Sequence, residues 1–466
     1  MKKDKIIIIG AGLSGSLLAL RLAQKGYQVR VYEARKDLRK HNISAGKSIN
    51  LAFSDRGIKA LTEAGIIDKV MPLCIPMKGR LIHDKDGNTF FSPYSGNLDK
   101  YINSISRGDL NAVLMNEAEK LPNLKIFFET ECKKVDFKKN TAHFFDHKTK
   151  KKKKVKASVI FGADGAGSAL RKSMFKQREI LFSFSQQWLK HGYKELSFPS
   201  GKNNTFLTEK NALHIWPRGN YMLIALPNLD GSFTVTLFLS HKDGKHSFRS
   251  LNSADKIKSF FKEQFPDAYV LMPNLVEEFK NNPVGALGTI KCDPYSYKEK
   301  TLLIGDAAHA VVPFYGQGMN ASFEDVTVLF KYIDKYEGNW QKIFSEYEKE
   351  RKKDADAIGD LAVENFYEMR DHVANPIFKI KREIERKLEA AYPNEYASKY
   401  AMVTFHTNLG YYDAFVKGNA QDKAFLNLIE DNEINTNTPL DVVLQKVKTK
   451  TNQIIDDDKT AQLLKF

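Results

Sequence analysis

The chain has 466 residues, 42% of them apolar, and a formal net charge of +16. A chain of this length and apolar content can bury a large core, which excludes a disulfide-dependent miniprotein and a disordered segment. The excess of 72 Lys and Arg over 56 Asp and Glu favours anionic ligands, of which nucleic acid is only one class.

Cysteine usage and apolar runs indicate a reducing, aqueous setting. Cys74, Cys132 and Cys292 are far apart and form no CxxC pair, so they predict neither a disulfide framework nor a zinc cluster. Residues 6–22 have the outline of a secretory signal, but glycines at fixed offsets and Arg21 interrupt the apolar run. No other stretch approaches about 18 consecutive apolar residues, the length that spans a membrane. We therefore expect a soluble, cytoplasmic protein without a membrane anchor.

The chain begins with a strand, a turn and a helix. Four isoleucines at 6–9 predict a short strand, and leucines at largely helical spacing from residue 13 to residue 22 predict the helix. Residues 28–32 predict a second strand. The three elements make a βαβ unit, whose strands pair in parallel with a right-handed crossover.

The middle of the chain predicts a second sheet. Residues 71–106 are turn-rich, and the Asp84-Lys-Asp-Gly87 segment predicts a hairpin. Alternating apolar residues between 206 and 239 predict further strands, so we expect this sheet to be largely antiparallel. The lysine-rich run at 148–156 predicts a solvated hairpin tip between two strands, and a polyanion site is the alternative for such a run.

From residue 324 onward the sequence is helical and charged. Periodic apolar residues at 342–372 and 377–392 predict long helices of a cap or third domain. The last stretch of about forty residues is polar, and we expect it to be loosely held.

The glycine pattern of the first turn is typical of a dinucleotide site. Gly10-Ala-Gly12-Leu-Ser-Gly15 lies between the predicted strand and helix, and Glu33 closes the second strand 18 residues later. Gly10 allows the tight turn, Gly12 lets the backbone approach a pyrophosphate, and Gly15 permits close helix packing. The helix N-terminus attracts phosphate charge, and Glu33 would accept hydrogen bonds from a ribose. The alternative is a glycine-rich turn that binds no ligand.

Two later aspartates follow strand-like stretches. Asp164 lies in Gly162-Ala-Asp164-Gly165, and Asp306 lies in Gly305-Asp306-Ala-Ala-His309. A GxGxxG motif, a central Asp-Gly motif and a later Gly-Asp motif, in this order, resemble the FAD-dependent aromatic hydroxylases, a family of single-component flavin monooxygenases. The resemblance implies that Asp306 binds hydroxyls of FAD and that Asp164 serves both FAD and the approach of the reduced nicotinamide. A helix N-cap is the alternative role for either carboxylate.

The 313–320 segment predicts a loop that opens a helix beside the flavin. Its backbone amides can face the pyrimidine carbonyls, where negative charge accumulates when the ring is reduced. The sequence has one Rossmann-type fingerprint, so we expect FAD to stay bound and NADPH to visit transiently. The residues that we expect to contact FAD are Gly10, Gly12, Leu13, Ser14, Gly15, Tyr32, Glu33, Ala34, Arg35, Ala52, Arg107, Asp164, Asp306, Gly318, Met319 and Asn320.

The resemblance implies the aromatic hydroxylase fold, an α/β architecture. It combines a Rossmann-like FAD-binding domain, a substrate domain with a mixed or antiparallel sheet, and a C-terminal helical region. The expected FAD-binding segments are 1–70, 101–180 and 291–335. The substrate domain takes 71–100 and 181–290, and the helical region with its polar tail takes 336–466.

Further segments resemble the branch of this family that hydroxylates kynurenine. They are residues 47–52, 104–107, 214–218, 313–320, 365–370 and 400–405. The last two segments lie in the helical region, which general aromatic hydroxylases do not share. Kynurenine has an amino-acid end and an aniline ring, so its pocket needs an anion clamp and a flat apolar slot. By resemblance, the substrate-binding residues are Arg80, Tyr94, Asn365, Tyr400, Glu368 and Phe314.

The predicted helix with Asn365 and Glu368 places His372 on the same face. An Asn-Glu-His face suggests a metal, but no further ligand motif accompanies it, so we expect no metal. We expect Asn365 to face the substrate amine, with Glu368 in support.

The resemblance implies hydroxylation of L-kynurenine to 3-hydroxykynurenine in tryptophan catabolism. NADPH would reduce FAD, O2 would add as a C4a-hydroperoxide, and its distal oxygen would pass to the carbon beside the aniline nitrogen. The amine already activates that carbon, so we expect no protein general base. A hydroxylase of another aromatic acid and a non-catalytic flavoprotein stay open as alternatives. No nucleic-acid partner is expected, and the sequence leaves open whether the protein is a monomer or a dimer.

Overall fold

The computed structural model describes residues 4–40, 50–97, 99–369 and 376–463. The strands in this part of the chain are β1 (Lys5–Ile9), β2 (Gln28–Tyr32), β3 (Leu51–Phe53), β4 (Cys74–Met77), β5 (Gly79–His83), β6 (Thr89–Pro93), β7 (Ile102–Ile105), β8 (Leu124–Phe127), β9 (Thr130–Asp136), β10 (Thr141–Asp146), β11 (Lys151–Lys156), β12 (Val159–Gly162), β13 (Ser183–Phe198), β14 (Ala212–Pro217), β15 (Met222–Pro227), β16 (Phe233–Ser240), β17 (Gly285–Asp293), β18 (Ser296–Tyr297) and β19 (Thr301–Leu303). The α-helices are α1 (Leu13–Gln24), α2 (Asp55–Glu63), α3 (Ile67–Val70), α4 (Arg107–Glu119), α5 (Ala169–Phe175), α6 (Ala254–Gln264), α7 (Pro266–Tyr269), α8 (Leu275–Asn281), α9 (Asp306–His309), α10 (Gly318–Tyr336), α11 (Trp340–Tyr367), α12 (Pro376–Ala391), α13 (Lys399–Phe405), α14 (Tyr411–Glu430) and α15 (Leu440–Leu463).

A six-stranded sheet contains the predicted βαβ unit. Its strand order is β18-β19-β12-β1-β2-β8, and β1 pairs in parallel with both β2 and β12. The four isoleucines of β1 are at most 2% exposed, as expected for a central strand covered on both faces. The predicted strand, helix and second strand are therefore confirmed. The carboxyl ends of β1, β2 and β12 meet at one edge of this sheet.

A seven-stranded sheet forms the second layer. Its strand order is β17-β13-β16-β15-β14-β5-β6, and the Asp84-Lys-Asp-Gly87 segment turns between β5 and β6, as predicted. β14, β15 and β16 are antiparallel, also as predicted, whereas β5 and β14 are parallel, so the sheet is mixed. One face packs on α6, α7 and α8, and the other faces α11 and α13.

The lysine-rich run at 148–156 begins in the turn between β10 and β11, as predicted, but most of it is a strand, which corrects the rest of the prediction. Its residues from Lys151 onward form β11, the edge of a three-stranded sheet with β10 and β9. Lysines on an edge strand keep their ammonium groups in water and discourage pairing with another strand. A run of charge therefore marks exposure without distinguishing a turn from an edge strand.

The end of the chain is a helix, which corrects the expected loose polar tail. α15 packs with α12 and α14, and Val443, Leu444 and Val447 are at most 3% exposed. These three residues form a narrow apolar stripe in an otherwise polar sequence, so composition alone does not reveal the helix. None of the described helices combines the length and the apolar content that a membrane crossing requires.

A buried ionic network joins the parallel sheet to the C-terminal helices. The Arg351 guanidinium on α11 donates to Asp325 Oδ1 at 2.7 Å and to Glu324 Oε2 at 2.8 Å, both on α10. Asp325 Oδ2 accepts from the Gly305 N–H at 2.8 Å and lies 2.7 Å from His309 Nε2. Burial alone would raise the pKa of the Asp325 carboxyl, but His309 and Arg351 hold it below its usual value. The network therefore fixes the turn at Gly305 relative to α10.

Replacing Arg351 with methionine should destabilise the protein strongly. The variant removes the buried guanidinium from Asp325 and Glu324, which then keep only His309 and Arg56 as their basic partners, so we expect Arg351→Met to lower the free energy of unfolding by about 3 to 5 kcal/mol. Folding lowers the pKa of Asp325. The ionised Asp325 therefore stabilises the folded protein at pH values above the unfolded carboxyl pKa of about 4. This stabilisation is lost as the pH falls through the lower pKa of the folded state.

Urea unfolding at neutral pH measures the change, with Lys349→Met as the control on the same helix. The Lys349 side chain is 70% exposed, so its loss should change the free energy of unfolding by less than about 0.5 kcal/mol. Equal stability of the two variants would contradict this account of the network.

Candidate active site

A cavity of about 810 Å³ extends from the carboxyl edge of the parallel sheet to one face of the seven-stranded sheet. Residues that end or follow β1, β2 and β12 form one wall, and side chains of β14, β15 and β16 form another. Ligands of open α/β sheets bind outside the carboxyl ends of the strands. The two parts of the predicted site therefore share one cavity.

The three glycines of the GxGxxG motif differ in their local geometry. Gly10 has φ +101°, in the region that favours glycine. A Cβ on Gly15 would lie 2.1 Å from the Gly10 carbonyl oxygen, so α1 approaches the turn too closely for any side chain. Gly12 differs, because a Cβ there would meet no atom within 4 Å. Gly12 lines the cavity, so a side chain there would take up cavity space and would not clash with the protein.

Helix α1 presents its N-terminus to the same space. It begins at Leu13, and its first turn has neither a capping side-chain hydrogen bond nor an acidic residue. The free backbone N–H groups and the helix dipole favour a phosphate at this position. Leu13 and Ser14 both line the cavity.

Glu33 lies on the cavity wall as an ionised acceptor. Its Oε2 accepts from the Ala11 N–H at 2.8 Å, and its Oε1 accepts from the backbone N–H and Nε of Arg35, both at 2.9 Å. Burial would raise the pKa of the Glu33 carboxyl, but Arg35 holds it below its usual value. The remaining lone pairs can accept from ribose hydroxyls. Tyr32, Ala34 and Arg35 line the wall beside it.

Asp164 and Asp306 also line the cavity, and burial raises the pKa of both carboxyls. Asp164 Oδ2 accepts from the Ala169 N–H at 2.6 Å, so it also caps α5. Its Oδ1 is buried and has no hydrogen-bond partner among the described residues. Such an orphaned oxygen is costly unless a ligand supplies a donor.

A second helix N-terminus reaches the cavity at Gly318, the first residue of α10, which again has no capping side-chain hydrogen bond and no acidic residue in its first turn. Met319 lines the cavity beside it. Asn320 does not line the cavity but donates to Ala52 O at 2.8 Å and to Gly316 O at 3.0 Å. Asn320 therefore ties β3 to the loop that precedes α10.

The residues present fit FAD. All the residues expected to contact FAD lie on the cavity wall except Gly15 and Asn320, which shape the backbone behind it. Open space at Gly12 and the α1 N-terminus suit a pyrophosphate, the α10 N-terminus suits negative charge on the flavin ring, and the orphaned Asp164 oxygen suits a hydroxyl. The sequence did not identify Lys133 or Lys172, which also line this end and belong to no motif.

At the other end of the cavity, Arg80 lies over stacked tyrosine rings. Its guanidinium carbon is 4.6 Å from the ring centroid of Tyr400 and 5.5 Å from that of Tyr94. Tyr400 stacks on Tyr94 at 5.3 Å and on Tyr315 at 5.5 Å between centroids. Burial raises the pKa of all three hydroxyls, so they stay protonated at neutral pH. Arg80, Tyr400 and Tyr315 line the cavity, whereas Tyr94 supports Tyr400 from outside the wall.

Arg80 forms no ion pair with a carboxylate of the described residues. The aromatic faces stabilise its charge in part, but they do not use its hydrogen-bond donors. A guanidinium can meet both oxygens of one carboxylate at once, which fixes orientation as well as affinity. Arg80 is therefore a ready anion clamp.

Apolar side chains form the wall near Arg80. They are Leu213, Met222, Ile224, Phe238 and Phe314. The sequence predicted most of their strands but identified only Phe314 as a site residue. Both faces of this sheet are apolar, and neighbours such as Leu223 and Leu237 pack against α6 and α8 instead. Alternation alone cannot say which face lines a cavity.

Asn365 and Glu368 do not reach the cavity wall. Asn365 is 6% exposed, and its Nδ2 donates to Phe314 O at 2.7 Å, so it supports the loop from behind. Met369 from the same segment does line the cavity. His372, predicted on the same face, lies outside the described residues. Within the described ranges, no group of three or more His, Cys, Asp or Glu side chains is arranged to hold a metal ion.

Comparison with known sequences agrees with this geometry. The FAD binding domain family matches residues 3–362. Kynurenine 3-monooxygenase of Dictyostelium discoideum is 46% identical over 462 residues, which cover 96% of this chain and 98% of the relative. Kynurenine 3-monooxygenase of Flavobacterium psychrophilum is 44% identical over 446 residues, with 96% and 98% covered.

Solved structures share the fold at lower identity. The tetrameric form of 2-methyl-3-hydroxypyridine-5-carboxylic acid oxygenase is 20% identical with a TM-score of 0.65, covering 84% of this chain and 96% of that one. PqsL of Pseudomonas aeruginosa in complex with 2-aminobenzoylacetate is 17% identical with a TM-score of 0.63, covering 79% and 97%. The expected aromatic hydroxylase fold is confirmed. The chain belongs to the FAD binding domain family and, within it, to the family of the kynurenine 3-monooxygenases.

Proposed function

We propose that this chain is an FAD-dependent monooxygenase that converts L-kynurenine to 3-hydroxykynurenine with NADPH and O2. One observation carries the proposal. Arg80, a cation without a carboxylate partner among the described residues, shares one cavity with an apolar wall and a dinucleotide cradle. Kynurenine has a carboxylate for the cation and a flat aryl end for the wall, so this one ligand accounts for both the cation and the wall.

The acceptors and helix ends of the cavity support a position for each part of FAD. Open space at Gly12 and the N-terminus of α1 would hold the pyrophosphate of FAD, and Glu33 would hold a ribose. Asp164 and Asp306 would accept from further hydroxyls, and the α10 N-terminus at Gly318 would stabilise negative charge on the pyrimidine. When bound, FAD supplies the redox chemistry, because it takes electrons from NADPH and activates O2 for the transfer of one oxygen atom.

The protein's main task toward the substrate is orientation. Arg80 would bind the α-carboxylate through two parallel hydrogen bonds, and the protonated Tyr400 hydroxyl would add a donor. The aryl ring would lie against Leu213 and Phe238, which are apolar and exclude water from the reacting end.

A protein base is not needed beside this wall. The substrate amine already activates the neighbouring ring carbon, and burial raises the pKa of Tyr315 and Tyr400, so neither hydroxyl is a base at neutral pH. Positioning and desolvation are therefore the contributions that we assign to the protein.

Turnover of kynurenine by the FAD-loaded protein tests the proposal directly. Kynurenine should stimulate NADPH oxidation and O2 consumption and give a product heavier by one oxygen atom, measured by mass spectrometry. 4-Hydroxybenzoate should do neither, because it lacks the amino-acid end and the activating amine. Hydroxylation of the benzoate alone would indicate a phenolic acid hydroxylase. Bound FAD with no stimulated oxidation would indicate a non-catalytic flavoprotein.

Gly12→Val should fold and yield a colourless protein. A side chain at this position meets no protein atom but occupies the space assigned to the pyrophosphate. The absorbance ratio of flavin to protein measures the loss, and circular dichroism checks the fold. Gly108→Ala is the control, because a Cβ there makes only an ordinary 3.7 Å contact with Ser106 Oγ. A yellow Gly12→Val protein with the wild-type flavin ratio would remove this cradle from the FAD site.

Arg80→Met should weaken kynurenine binding while FAD stays bound. Loss of a charge-assisted pair costs about 2 to 3 kcal/mol, which corresponds to roughly 30- to 160-fold in Kd. Titration of the flavin absorbance with kynurenine measures the change. Lys78→Met removes an exposed cation two residues away and should leave Kd unchanged. Wild-type affinity in Arg80→Met would exclude Arg80 as the clamp.

A further inference from the structure

Helix α12 has a buried carboxylate to which the proposed function assigns no part. Glu389 is 5% exposed, and its two oxygens accept from two backbone N–H groups that are far apart in the chain. Oε2 accepts from Gly96, after β6, and Oε1 accepts from Ser398, the N-cap of α13, each at 2.8 Å. One side chain thereby connects the two segments.

Each of these amides lies two residues from a tyrosine of the Arg80 stack. Tyr94 precedes the first amide, and Tyr400 follows the second. Their rings are 5.3 Å apart with an interplanar angle of 13°, and the Arg80 guanidinium lies over both. Two separate segments must keep a fixed distance for this stack to form, and the same carboxylate is bonded to both.

The loop that contains Gly96 packs so closely on α12 that it cannot move nearer to this helix. A Cβ on Gly96 would lie 2.4 Å from Arg386 O and 2.8 Å from Ala390 N, so the loop already touches the backbone of α12. This contact places Glu389 where its carboxylate spans both amides.

Two neighbouring side chains anchor only the start of α13. The Tyr396 hydroxyl donates to Glu385 Oε1 at 3.2 Å, and Gln421 Nε2 donates to Ala397 O at 3.1 Å. These bonds hold the start of α13 but do not reach the Tyr94 loop. Glu389 joins that loop to α13.

We propose that Glu389 is a positioning residue that sets the distance between Tyr94 and Tyr400 and thereby the place of Arg80. The inference rests on the proposed function, because it assigns Glu389 a role in kynurenine affinity. A carboxylate accepts from both amides, whereas a glutamine side chain has one acceptor oxygen and would turn its NH2 group toward the other N–H.

Glu389→Gln should raise the Kd of the FAD-loaded protein for kynurenine by about tenfold, because one charge-assisted bond is lost and the stack loosens. FAD content and kcat should stay close to wild type, since the substitution lies outside the cavity wall. Glu383→Gln is the matched control on the same helix. The Glu383 side chain is 45% exposed and pairs with Lys387 at 2.8 Å, so its replacement should leave Kd unchanged.

A double-mutant cycle separates positioning from general destabilisation. In an Arg80→Met background, Glu389→Gln should change Kd by less than about twofold, because the group that it positions is gone. Glu389→Asp keeps the charge but is too short to reach both amides, so it should raise Kd in the same direction. It also serves as the second variant if the glutamine protein does not fold.

The outcomes distinguish this inference from the proposed function. Wild-type protein that binds kynurenine, with an unchanged Kd in Glu389→Gln, would overturn the inference alone. If Glu389→Gln changed Kd by the same factor in the wild-type and Arg80→Met proteins, Glu389 would have a general structural role and the inference would be overturned. Failure of both Glu389 variants to give FAD-loaded protein would overturn it for the same reason. Wild-type protein that does not bind kynurenine would overturn the proposed function, and this inference with it.

Discussion

The arrangement of the cavity depends on one guanidinium that has aromatic rings, but no carboxylate of the described chain, for neighbours. The faces of Tyr94 and Tyr400 compensate the charge of Arg80 only in part, so we propose that the carboxylate of the substrate binds there. The apolar wall then determines where the rest of that ligand lies. In this proposal the Arg80 charge sets which end of the aromatic amino acid faces which part of the site.

The two sheets line different parts of one cavity and offer different kinds of groups to a ligand. The parallel sheet supplies backbone groups at Gly10 and Gly12, which suit phosphate, while the seven-stranded sheet supplies a broad face of side chains, which suits an aryl ring. Elements from the C-terminal helices complete the site. Arg351 fixes the turn at Gly305 through Asp325, and Tyr400 reaches Arg80 from α13. The buried ion pairs of Arg351 are therefore separate from Arg80, the proposed clamp, which is only partly buried.

Local signals in the sequence predicted the parts of the site that depend on local backbone geometry. Gly10 and Gly12 belong to a short motif, and the motif's spacing specifies both the turn and the helix end. Met222 and Phe238 have no such signal, because only the packing of α6 and α8 decides which face of their sheet is free. Glu389 was not predicted either, since its two partners are an amide of a loop and an amide of a helix start, far away in sequence. The domain boundaries themselves stay a prediction.

A crystal structure of the FAD-loaded protein with bound kynurenine would show whether Arg80 is the carboxylate clamp. We expect both carboxylate oxygens within about 3 Å of the Arg80 guanidinium, a normal hydrogen-bond distance, with the aryl ring against Leu213 and Phe238. Kynurenine bound with its aniline end at Arg80, or bound outside this cavity, would exclude this arrangement.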